Sequence, residues 1–98
     1  MRSRVRFLIC TACVALGGCH RGSPDTGAIV YKKYCFGCHR GGTTQDFAPS
    51  LFGYLSEGKH DESETRRIIR DGRDNMPPFR KRLSRSELND LLAYMKTL

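Results

Sequence analysis

The pentapeptide Cys35-Phe36-Gly37-Cys38-His39 constrains this chain more than any other feature of it. Two thiols separated by two residues, with an imidazole immediately after, form the attachment pattern of a c-type haem. Chemistry accounts for the spacing. The thiols add across vinyl groups on neighbouring pyrroles, and two intervening residues let both sulfurs reach one edge of the ring. The next side chain then turns its imidazole towards the iron. Other uses of a Cys-x-x-Cys pair fit less well. A thiol-exchange centre sits in a βαβ pattern, and the flanking residues carry no strand signal. A zinc site needs three or four protein ligands. After residue 18 there is no second cysteine pair, and His20 and His60 lack ligand-like spacing.

The N-terminus reads as an export leader. Arg2, Arg4 and Arg6 precede an uncharged run, Phe7 to Gly18, of 12 residues. A membrane-spanning helix needs about 20 apolar residues, whereas a signal h-region needs about 7–15. Leu16-Gly17-Gly18-Cys19 resembles the lipobox of bacterial lipoproteins, which implies cleavage before Cys19 and acylation of that cysteine. An ordinary secretory cut that leaves Cys19 as a free thiol is the alternative. The expected organisation is a leader over 1–18, the lipidated Cys19 and a short linker over 19–26, and one domain over 27–98. Cys10 and Cys13 would depart with the leader, and Val14 after them breaks the haem pattern.

Without residues 1–18 the chain has 80 residues and no Trp. A core that small commonly needs a metal, a disulfide or a large cofactor. The formal charge of +7 falls to +4, because three of the 17 basic residues and none of the acidic ones lie in the leader. An exported, mildly basic protein is a poor nucleic-acid binder; an acidic protein surface or an anionic lipid suits it better.

An electron-carrying haem iron takes a ligand on each face. The best second candidate is Met76, in Asp74-Asn75-Met76-Pro77-Pro78. A thioether is soft and neutral, Met/His ligation raises the reduction potential, and the two prolines stiffen the loop. Met95 falls on the apolar side of a helix and reads as core. His60 falls in a polar loop and reads as a surface residue, although a bis-His site through it remains an alternative.

The helical pattern appears three times. Thr26–Tyr34 is expected as a helix capped by Asp25 or Thr26, with Ala28 and Tyr31 inward and Lys32 and Lys33 outward. Arg40–Leu55 reads as loop, and Ala48-Pro49-Ser50-Leu51-Phe52-Gly53 offers apolar groups to a ring. Asp61–Asp71 is expected as a second helix with an Asp61/Glu64 capping pair, Ile68 and Ile69 inward, its arginines outward, and Gly72 as its stop. Ser84–Thr97 has a Ser84/Glu87 capping box and an apolar stripe of Leu88, Leu91, Leu92 and Met95, widened by Tyr94 and Leu98. The expected class is all-α, with three main helices around one covalently attached haem.

Residues 27–39, 48–51 and 68–79 together resemble the class I monohaem cytochromes c, in particular the short bacterial type related to cytochrome domains of cbb3-type oxidases. The resemblance implies a steep crossing of the first and last helices at Gly27 and Tyr94. It also implies that the Pro49 carbonyl accepts the ring N–H of the axial His39, and that the haem contacts Cys35, Cys38, His39, Pro49, Leu51 and Met76. His39 and Met76 would hold the iron.

The function expected on this basis is single-electron transfer in a bacterial respiratory or periplasmic chain, by a lipid-tethered carrier or an oxidoreductase subunit and not by an enzyme. Its partners would be redox proteins with acidic docking surfaces. Arg40, Arg80, Lys81 and Arg82 would form a basic rim near the haem edge, or simply be solvated. Two rival readings stay open: a haem-based gas sensor or enzyme with a displaceable Met76, and a haem-free structural or thiol-disulfide lipoprotein.

Overall fold

The computed structural model describes residues 21–40 and 48–98. The leader, the lipobox ending at Cys19, His20 and the Gly41-Gly42 pair lie outside the described residues. Three helices form the scaffold: α1 (Pro24–Tyr34), α2 (Glu62–Asp71) and α3 (Arg85–Met95). An isolated antiparallel bridge between Arg73 and Met76 is the β pairing among the described residues. The all-α class expected from the sequence is the class observed.

Helix α1 starts two residues earlier than its composition suggests. Ser23, not Asp25 or Thr26, is the cap; it is extended (φ −106°, ψ 119°) and its hydroxyl accepts the Thr26 N–H at 3.5 Å. Pro24 reads as a linker residue, yet at the first helical position its missing N–H would have had no partner anyway, and its ring presets a helical φ. Asp25 consequently falls in the first turn, where a carboxylate faces the positive end of the helix. Gly27, Val30 and Tyr31 are buried, whereas Ala28 is only half-buried.

The end of α1 turns sharply. The N–H groups of Cys35 and Phe36 both donate to the Tyr31 carbonyl, at 2.8 and 3.0 Å. Those of Cys38 and His39 donate to the Cys35 carbonyl, at 3.2 and 2.9 Å. Helix α2 is capped by Asp61, whose carboxylate accepts the Glu64 N–H at 3.1 Å, and it stops at Gly72 (φ 81°), a backbone conformation that favours glycine. Helix α3 has both halves of its capping box: the Glu87 N–H donates to the Ser84 hydroxyl and the Ser84 N–H donates to the Glu87 carboxylate, each at 3.0 Å.

The core sits where α1 crosses α3. Leu91, Leu92 and Met95 are fully buried against Val30, Tyr31 and Leu88, and each such side chain contributes about 1.5–3 kcal/mol relative to exposure. Gly27 is required by this crossing: a Cβ there would lie 1.9 Å from the Asp90 carbonyl oxygen and 2.8 Å from the Tyr94 Cβ. Tyr31 and Tyr94 pack with ring centroids 5.3 Å apart. Asp90 is buried, and its Oδ1 accepts the Ser23 N–H at 2.7 Å, which binds the start of α1 to the middle of α3. Helix α2 meets α3 through half-exposed polar contacts, Arg66 Nη1 to Asn89 Oδ1 at 2.7 Å and Lys96 to Glu62 at 2.9 Å. Arg66 is therefore half-buried and not on the outer side.

Candidate functional site

Between the α1–α3 pair and α2 lies a cavity of about 650 Å³, within the range of small-molecule and cofactor sites. The turn after α1 contributes Cys35, Cys38 and His39. The following loop contributes Pro49 and Leu51, and the loop after α2 contributes Met76. All six residues singled out in the sequence thus line one space. Leu51, Ile69 and Met95 form its buried apolar wall.

His39 is held on three sides. Its N–H donates to the Cys35 carbonyl at 2.9 Å, and its carbonyl accepts the buried Tyr31 hydroxyl at 3.1 Å. Its ring Nδ1 lies 2.8 Å from the Pro49 carbonyl oxygen. A carbonyl can only accept, so Nδ1 carries the proton and Nε2 keeps its lone pair. A ring nitrogen fixed in this way is the form in which histidine ligates a metal.

Met76 is presented by a tight loop. Its N–H donates to the Arg73 carbonyl at 2.8 Å, and its carbonyl accepts the Arg73 N–H at 3.1 Å. Pro77 and Pro78 follow, and the chain is then tied back to α2 by Phe79 N–H to the Ile69 carbonyl (2.9 Å) and Arg80 N–H to the Arg70 carbonyl (3.1 Å). Gly72 admits the loop, since a Cβ there would lie 2.8 Å from the Met76 carbonyl oxygen.

Cys35 and Cys38 form no disulfide; the Cys35 side chain is buried and that of Cys38 exposed. Burial, and secondarily the neighbouring Cys38, pushes the Cys35 thiol up to about 11. A thiol-exchange centre needs the opposite shift. No group of three or more His, Cys, Asp and Glu side chains able to hold a metal occurs among the described residues. The His39 imidazole, the Met76 thioether and the two cysteines face one space, with Met95 in its apolar wall and His60 stacked on Tyr54 at its rim, a donor set and shape that fit a haem.

Several lining residues were not singled out beforehand. Thr65 is buried in α2 with its Oγ1 donating to the Asp61 carbonyl at 2.8 Å, and it falls one turn before Ile69 on the same helix face. That spacing was the signal available. Ile68, expected to be buried with Ile69, is half-buried and also faces the cavity. Tyr54 and His60 stack at the rim with centroids 3.7 Å apart and planes 6° apart; a contact between a loop aromatic and an exposed histidine leaves no sequence pattern. Phe52, expected among the apolar groups offered to the ring, is 63% exposed and does not line the cavity. The turn after Leu51 aims successive side chains in different directions, and Leu51 takes the inward one.

A separate basic surface lies after the Met76 loop. Arg70, Arg80, Lys81 and Arg82, with Asp71, surround a concavity beside Pro78 that shares no lining residue with the first cavity. Arg70 and Arg80 share Asp71 and hold its carboxyl below the usual carboxylate range, and the Arg82 guanidinium lies 5.8 Å from the Phe79 ring centroid. Lys81 and Arg82 supply further positive charge.

Comparison with known proteins bears on the family, the fold and the cofactor. Residues 22–95 match the family model described as cytochrome C oxidase, cbb3-type, subunit III. The fold is similar to that of cytochrome c6 from the diatom Phaeodactylum tricornutum, with a TM-score of 0.63 and 26% sequence identity over 78% of this chain and 93% of that one. No curated protein matches. The chain belongs to the cbb3-type cytochrome c oxidase subunit III family; it is a small class I monohaem cytochrome c with a covalently bound c-type haem that serves electron transfer.

Proposed function

We propose that the protein is a membrane-tethered one-electron carrier, free or fixed in an oxidoreductase, on the periplasmic side of a bacterial membrane. In this reading residues 1–18 are a leader, Cys19 carries the lipid, and the domain follows a short connection. No helix among the described residues is long and apolar enough to cross a membrane; in this reading the lipid on Cys19 supplies the attachment. His39 and Met76 would ligate the iron, and Cys35 and Cys38 would bond the haem. When bound it supplies a one-electron couple at the iron.

The observation that carries the reading is the Pro49 carbonyl at 2.8 Å from His39 Nδ1, which leaves Nε2 as the ligating atom in a cavity that Met76 also lines. The chain's own residues do the rest. Pro49 and Tyr31 fix His39, Arg73 and the two prolines fix Met76, and Leu51, Ile69 and Met95 exclude water. Ligands that do not move between oxidation states keep the reorganisation on electron exchange small. The basic surface at Arg70, Lys81 and Arg82 suits brief, charge-steered docking with an acidic redox partner.

The test is an absorbance spectrum of the natively matured protein, oxidised and reduced, with and without carbon monoxide. A low-spin c-type spectrum that ignores carbon monoxide is expected. A high-spin spectrum that shifts with the gas would replace this reading with that of a sensor or enzyme with an open iron position.

A further inference from the structure

Helix α1 has a second face that its packing does not use. Ile29, Lys32 and Lys33 lie on one helical stripe, opposite Gly27, Val30 and Tyr31, which meet α3, and Phe36 follows them in the turn after the helix end. Ile29 is 68% exposed and Phe36 50% exposed, and both lysines are exposed. Phe36 does not line the haem cavity, so the cofactor does not cover it. Two large exposed apolar side chains, one on the helix and one in the turn that ends it, flanking two lysines is the composition of an interfacial contact, in which apolar groups enter the acyl boundary and ammonium groups reach the headgroups. Asp25, one turn before Ile29, is the acidic residue on this face.

The position of α1 along the chain argues for lipid over protein as the occupant. Four residue steps separate Cys19 from the cap Ser23, a span of at most about 14 Å. Ser23 is itself fixed to α3 through Asp90 at 2.7 Å, so α1 cannot swing away from the rest of the domain. A lipid on Cys19 would therefore hold this stripe near the bilayer, and lysines close to an anionic leaflet are attracted to it.

We propose that the exposed surface of Ile29, Lys32 and Lys33 on α1, with Phe36 in the turn that follows, rests on an anionic phospholipid surface and so fixes the orientation of the tethered domain. The proposal rests on the tethered reading for its proximity to the membrane. Phe36 lies between the two thiols of the attachment turn, so this orientation brings that turn to the membrane surface, where a membrane-embedded redox partner would meet it.

The test uses the matured, haem-loaded protein with a nitroxide label at Ile29→Cys or, as control, at the exposed Ser63→Cys on α2. Vesicles are either phosphatidylcholine alone or phosphatidylcholine mixed with phosphatidylglycerol. In the anionic vesicles the accessibility of position 29 to an aqueous nickel relaxant is expected to fall at least about fivefold, as insertion at the acyl boundary requires. Position 63 should stay aqueous, and Lys32→Glu/Lys33→Glu should abolish the protection. Protein that sediments with both vesicles while position 29 stays aqueous overturns the inference and leaves the tether intact. Protein that sediments with neither overturns both. Protection by soluble polyglutamate but not by anionic vesicles overturns the lipid assignment in favour of an acidic protein.

Discussion

The phenolic hydroxyl of Tyr31, in the last turn of α1, donates to the backbone carbonyl of His39 across 3.1 Å of buried space. With the Pro49 contact at 2.8 Å, this fastens the histidine at both its main chain and its ring. Burial first, then the neighbouring Cys35 and Tyr94, raises the Tyr31 pKa above its ordinary value, so the hydroxyl remains a donor across the physiological range.

Tyr31→Phe should therefore cost about 1–3 kcal/mol, because it leaves a buried carbonyl without its partner. Guanidinium unfolding of the haem-loaded protein measures the loss. The His39 ring resonances should move as well, a change that simple loss of packing elsewhere would not produce.

Gly27→Ala should be worse. A Cβ placed 1.9 Å from the Asp90 carbonyl oxygen cannot be accommodated by rotating a side chain, since the obstacle is backbone. The two helices must separate, at about 3 kcal/mol or more, the upper end of overpacking costs. A fall in the unfolding midpoint measures it.

Removing the thioether tests the second ligand. Met76→Ala should give a reduced protein that binds carbon monoxide, and should lower the reduction potential by on the order of 0.1 V, a fraction of the roughly 0.8 V that axial ligands command. Spectroscopy under the gas and a redox titration are the measurements.

The α2 cap should make stability depend on acid. The Ser63 hydroxyl, and then the Glu64 N–H, hold the Asp61 carboxyl below its ordinary value. A carboxyl with a lowered folded pKa stabilises the protein above its unfolded pKa, and the contribution is lost as pH falls through the folded one. Asp61→Asn keeps a capping acceptor but does not titrate. The stability gap between wild type and Asp61→Asn should be constant near neutrality and shrink below about pH 4, as followed by thermal melts across pH.

Charge reversal at Lys81→Glu/Arg82→Glu should slow electron exchange with an acidic partner by roughly tenfold at low salt and flatten its dependence on ionic strength. Stopped-flow traces at several salt concentrations report both. Unchanged rates would assign these residues to solvation alone.

Much of this architecture is legible one segment at a time. The Ser84/Glu87 box, the Leu88–Met95 stripe and the Gly72 stop each state their structure within a few residues, because caps and periodicity are local physics. The Cys35–His39 motif is local too. What the sequence hides is pairing over distance. Nothing near Ser23 announces that its N–H will meet Asp90, 67 residues away, and nothing in a polar loop announces that His60 will stack on Tyr54. Pro24 misleads, since composition reads it as linker while its geometry suits a first helical turn. Pro49 is intermediate: a bare proline reads as a turn, and only the family resemblance directs attention to its carbonyl.

The unequal joining of the helices bears on how the holoprotein is made. The first and last helices lock through a glycine notch, a tilted pair of tyrosines and the Ser23–Asp90 bond, whereas the middle one leans on its neighbour through two half-exposed polar contacts. A chain built this way would close its ends before its centre settles. The space between the helix crossing and the middle helix, lined by Cys35, Cys38, His39 and Met76, would then be the last part of the domain to take its final shape.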